Sequence, residues 1–161
     1  IGCPGTQADV RAHRFEHSLE VQIPFIQTLS PETKITPVCI GGGSLAELIS
    51  LGENLAGVLR EYPCRTLIVV SSDMTHYESG DIAEKKDRRA IDRILALDAE
   101  GLHETVRKEK ISMSGVLPTT VMLAALRKIG DFKATLVHYG NSGDVTQDWS
   151  EVVGYAGIII E

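Results

Sequence analysis

With 161 residues, 43% of them hydrophobic and 24% charged, the chain has the size and composition of one soluble domain able to bury a core without covalent staples. Its net charge of -6 argues against a general nucleic-acid or anionic-membrane surface, and no apolar run is long enough to span a bilayer. Cys3, Cys39 and Cys64 are odd in number and lack CxxC spacing, which argues against a disulfide framework or zinc knuckle and suits a reducing cytoplasm.

The opening Ile1-Gly2-Cys3-Pro4-Gly5 has no initiator Met or signal peptide and reads as a loop entered partway, so earlier residues are expected to be missing. Next, Leu19, Ile23, Ile26 and Leu29 share one helical face, and Pro24 predicts a kink or a short helix. His13 and His17 stand four apart and could share a metal, although His13 reads better as a loop or capping residue. Residues 34–40 read as a strand, with Cys39 a buried free thiol inside it. Gly41-Gly42-Gly43-Ser44 follows. A dinucleotide fingerprint needs a further glycine where Ala46 stands, so a tight strand-to-helix turn is the better reading. Ser44 and Glu47 make a capping box, and Leu48, Leu51, Leu55, Val58 and Leu59 give the helix its apolar face.

The β-branched run 66–70 predicts a central strand buried on both faces, left at Ser71-Ser72. Asp73 and His76 follow three apart, and a helical turn there would set carboxylate and imidazole on one side, able to hold a metal or move a proton. The plainer alternative is a helix cap and a surface histidine. Residues 81–97 predict an amphipathic helix with Ile91, Ile94 and Leu95 inward; its mixed charges, Asp87 among them, read as a solvated face. A shorter helix is expected over 99–108, with His103 on its polar side and without function. Residues 112–118 form a loop into a buried helix at 119–129, between Pro118 and Gly130. Strands are expected at 134–139 and 154–160, separated by the Asn141-to-Asp144 loop.

This alternation predicts a three-layer α/β domain over 1–161, its largely parallel or mixed sheet covered by helices on both faces. Loops after residues 40, 70 and 139 would then leave on one edge, bringing Asp73, His76 and Asp144 together.

Three separated motifs, Glu16-His17-Ser18-Leu19-Glu20-Val21-Gln22-Ile23-Pro24-Phe25, Ser71-Ser72-Asp73-Met74-Thr75-His76-Tyr77 and the tail from Tyr139-Gly140-Asn141-Ser142-Gly143-Asp144 to Val152-Val153-Gly154-Tyr155-Ala156-Gly157, resemble the Memo family, whose prokaryotic branch is called AmmeMemoRadiSam system protein B. The resemblance runs from about His13 to the end of the chain. It implies a fold similar to class III extradiol dioxygenases and a pocket for a divalent metal. The metal would be Fe(II), with Cu or Zn as alternatives. Carried over, the ligands are His17, His76 and, near a position that is Cys in animal members, Asp144; a further upstream His would precede Ile1. Asp73 and His76 are then the catalytic candidates, since two imidazoles and a carboxylate with open positions suit non-haem iron oxygen chemistry. The resemblance implies a metal-dependent oxidoreductase acting on a small molecule. The alternatives are a metal hydrolase and a non-catalytic metal-binding adaptor for a peptide or phosphopeptide ligand or a radical-SAM partner protein.

Overall fold

The computed structural model describes residues 2–161. Its helices form where capping and apolar spacing agree. After a 3-10 turn at Val10–His13 comes α1 (Ile23–Leu29), where Pro24 lies in the first turn, so the proline starts the helix and no kink results. α2 (Leu45–Glu61) begins at a reciprocal cap: Ser44 Oγ accepts from the Glu47 N–H, and the Ser44 N–H donates to Glu47 Oε2 at 2.7 Å. The hydrogen bonds from Ser44 hold the Glu47 carboxyl below its ordinary range. Buried Leu48, Gly52 and Ala56 recur every four residues, a narrow small-residue stripe laid against α5 (Val116–Ile129).

α3 (Gly80–Leu95) buries Ala83, Asp87, Ala90, Ile91 and Ile94. α4 (Ala99–Lys108) starts where Asp98 accepts from the Gly101 N–H at 2.8 Å, and it buries Ala99, Leu102 and Val106. α3 packs directly on the sheet, α4 joins α3 to α5, and α2 lies beyond α5. Arg127 grips Glu100 through two bonds of 2.9 Å, tying α5 to α4 and holding that carboxyl below its ordinary range. The core is Met74, Ile91, Ile94, Leu102, Val106, Ile111, Met113 and Leu123, with Leu136, Ala156, Ile158 and Ile160 packed on it from the sheet.

That sheet departs from expectation. Among the described residues it has three strands, β1 (His76–Glu78), β2 (Ala134–Asn141) and β3 (Val152–Ile160), in the order β1-β3-β2, and both pairings are antiparallel. The domain is mixed α/β, as expected, but in place of a three-layer, largely parallel or mixed sheet with helices on both faces it has helices and a small antiparallel sheet. Helices cover one face, while Val137, Tyr155 and Ile159 remain exposed on the other. Residues 34–40 and 66–70 form no strand and make no backbone–backbone hydrogen bond among the described residues. Their composition is that of buried strands, but a ladder needs a neighbour, and Leu67 is 83% exposed. Cys39 is exposed rather than buried for the same reason. No helix among the described residues is long and apolar enough to cross a membrane.

Candidate functional site

The stretch Ser71 to Glu78 is held on three sides. Toward β3, the Met74 N–H donates to the Gly154 carbonyl and the Gly154 N–H to the Thr75 carbonyl, each at 2.9 Å. Beyond them His76 pairs with Val153 in the β1–β3 ladder. Toward residues 112–115 the chain is stitched by serines. The Asp73 N–H donates to Ser114 Oγ at 2.9 Å, the His76 N–H to Ser112 Oγ at 2.7 Å and the Gly115 N–H to Ser72 Oγ at 2.8 Å. Toward the helices, the Thr75 N–H donates to Asp87 Oδ1 at 2.9 Å.

His76 is oriented by this frame. Its Nδ1 lies 2.9 Å from the Ser112 carbonyl oxygen, which can only accept, so Nδ1 carries a proton and Nε2 is the nitrogen left to bind a proton or a metal. Nε2 faces Asp73 Oδ2 at 3.5 Å, with the His76 side chain 22% and the Asp73 side chain 50% exposed. The expected pair is thus present, but residues 71–75 are irregular chain entering β1, not a helical turn. Tyr77 sits in the left-handed region at φ 57° within the β1 irregularity, exposed, its ring 5.9 Å from the imidazole. A non-glycine residue in that region beside a base is a conformation that surrounding contacts must impose.

The segments that carry the other two residues are tethered to this region. His17 is exposed on a turn closed by Glu16, which accepts from the N–H groups of Ser18 and Leu19, and Gln22 further along donates to Ser71 Oγ at 3.1 Å. Asp144 lies in α6 (Gly143–Thr146), exposed, its Oδ2 accepting from the Asn141 N–H at 2.9 Å. The Ser142 N–H donates to the Val153 carbonyl, so this loop hangs on the residue that pairs with His76. Among the described residues no three His, Cys, Asp or Glu side chains lie close enough to hold one metal ion. Asp73 and His76 come together as a two-donor nucleus; His17 and Asp144 are not gathered onto it. Two surface depressions of about 460 Å³ lie elsewhere, one beside Val10 to Arg14 and one between Asp81 and Arg89 on α3.

Sequence reasoning missed Ser112, Ser114 and Asp87. The serine pair at alternate positions in a loop was a faint signal. Asp87 gave a better one: it falls in register with Ala83, Ala90, Ile91 and Ile94 on the apolar face. Instead of belonging to a solvated face, it is fully buried.

The family of Memo-like proteins matches residues 3–159. A MEMO1 family protein of Methanopyrus kandleri is 42% identical over 158 residues, covering 98% of this chain and 56% of that protein. Another, from Methanosarcina mazei, is 42% identical over 155 residues, with coverages of 96% and 58%. One from Methanocaldococcus jannaschii is 40% identical over 163 residues, with 99% and 57%. The chain therefore spans little more than half the length of these relatives, while matching them along nearly all of its own. It belongs to the Memo-like family.

Proposed function

We propose that the protein binds a divalent metal, Fe(II) in preference to Cu or Zn, at His76, with the Asp73 carboxylate beside it as an acid–base group. The observation that supports this reading is the oriented imidazole. A histidine whose Nδ1–H is spent on a backbone carbonyl presents a basic Nε2 outward, the arrangement typical of metal ligands. His17 and Asp144 are the proposed additional donors, since both their segments are tethered to the His76 strand, through Gln22–Ser71 and Ser142–Val153. Reaching the ion requires their exposed side chains to swing inward.

Within this reading the protein is a cytoplasmic oxidoreductase similar to class III extradiol dioxygenases in fold, acting on a small molecule. A radical-SAM protein is its proposed partner. The ion would supply Lewis acidity and a binding position for dioxygen. The chain's own residues do the rest. Ser112 fixes the ring of His76, and the half-exposed Asp73 carboxylate can take a proton from a bound substrate hydroxyl.

Anaerobic Fe(II) titration of the full-length protein tests the site. His76→Ala is expected to weaken binding by about tenfold or more, whereas His103→Ala leaves it unchanged. Equal affinity in both variants and the wild type would remove His76 as a ligand. Oxygen uptake by the loaded protein separates an oxidoreductase from a metal-binding adaptor.

A further inference from the structure

We infer that Asp87 is the positioning residue of this site, acting on His76 and Asp73 through the peptide that lies between them. Asp87 is fully buried on the inner face of α3, and both carboxylate oxygens are committed. Oδ1 accepts from the Thr75 N–H at 2.9 Å, and Oδ2 accepts from the Tyr139 hydroxyl on β2 at 2.8 Å. One side chain thus connects helix, β2 and the site-bearing stretch. Gly154 completes the seat on β3, since a methyl group there would lie 2.0 Å from Asp87 Oδ2.

The need for such a group follows from the backbone. Met74 and Thr75 straddle Gly154, donating one bond to it and accepting one from it, which leaves the Thr75 N–H without a place in the β3 ladder. A buried N–H must find another acceptor, and Asp87 is the acceptor it finds. Thr75's own hydroxyl does not share this task, for Oγ1 is buried with no partner among the described residues. The Thr75 peptide is therefore set from outside. It fixes the spacing from Asp73 to His76, and with it the distance from the His76 ring to the Ser112 carbonyl. Burial, followed by the hydrogen bond to Asp87, keeps the Tyr139 hydroxyl protonated well past its ordinary range, so it remains a donor to the carboxylate.

Asp87→Ala, Asp87→Asn and Thr75→Val in the full-length protein test this inference. Imidazole nitrogen NMR at fixed pH, without metal, reads the His76 tautomer. Asp87→Ala is expected to erase the single Nδ1–H signature, while Asp87→Asn restores it, because an amide oxygen still accepts from Thr75 and its NH₂ can donate to the Tyr139 oxygen. Thr75→Val keeps the peptide N–H and should keep the signature. If Asp87→Ala does not fold, Tyr139→Phe, which frees one carboxylate oxygen, is expected to broaden the signature instead. An unchanged tautomer in every folded Asp87 and Tyr139 variant would overturn the inference and leave Asp87 a purely structural residue. The link to metal rests on the function proposed above: Asp87→Ala should also weaken Fe(II) binding by about tenfold. The two ideas fail separately, because the tautomer is read without metal and wild-type protein that binds no Fe(II) would sink only the metal reading.

Discussion

Gly154→Ala is expected to destabilise the protein by about 3–5 kcal/mol, the cost of overpacking a full site together with breaking a buried charged hydrogen bond. The added methyl would stand 2.0 Å from Asp87 Oδ2 and 3.2 Å from Met74 Cβ. Neither neighbour can yield cheaply. Moving Asp87 strips the Thr75 N–H and the Tyr139 hydroxyl of their acceptor, and Met74 is part of the core. The urea midpoint should fall with little change in slope. A midpoint within experimental error of the wild type would show that β3 and α3 leave room for a methyl group at Gly154.

Gly52→Ala is expected to cost about 2–4 kcal/mol, although alanine is the better helix former by about 1 kcal/mol. The methyl would meet the Val121 carbonyl at 2.5 Å, Ala124 Cβ at 2.6 Å and the Ala125 nitrogen at 3.0 Å. Two of those three atoms are backbone of α5, so relief requires the helices to part. Gly57, on the same helix, supplies the contrast. A methyl there meets nothing within 4 Å, and Gly57→Ala is expected to stabilise by about 0.5–1 kcal/mol. Opposite signs from one substitution on one helix are the decisive result. The same sign for both would mean that α2 does not approach α5 this closely.

The helices were legible because their signals are local. The Ser44–Glu47 box and the boundary at Gly130 lie within a few turns of what they specify, whereas the expected leucine face of α2 gave way to a buried stripe of Leu48, Gly52 and Ala56. The sheet was less legible. The composition of 34–40 and 66–70 describes a strand buried on both faces, but composition carries no information about which neighbour is there to pair. Within the site, Asp73 and His76 announced themselves by type and spacing, although the loop that joins them is not the expected turn. Ser112 and Asp87 could not be placed, since one acts through a carbonyl that every residue possesses. The other has charged neighbours in sequence but apolar neighbours on its helix face.

The strand order has a consequence for how the protein is made. β3 lies between β1 and β2 and follows both in the chain, so neither can pair until residues 152–160 have left the ribosome. α2 to α5 rest mostly on contacts among themselves and can associate earlier. His76 therefore waits for Val153, and the seat around Asp87 is not complete until Gly154 arrives. Nascent chains released before β3 would carry the helices with the Ser71-to-Glu78 stretch unpaired, open to proteases along that segment.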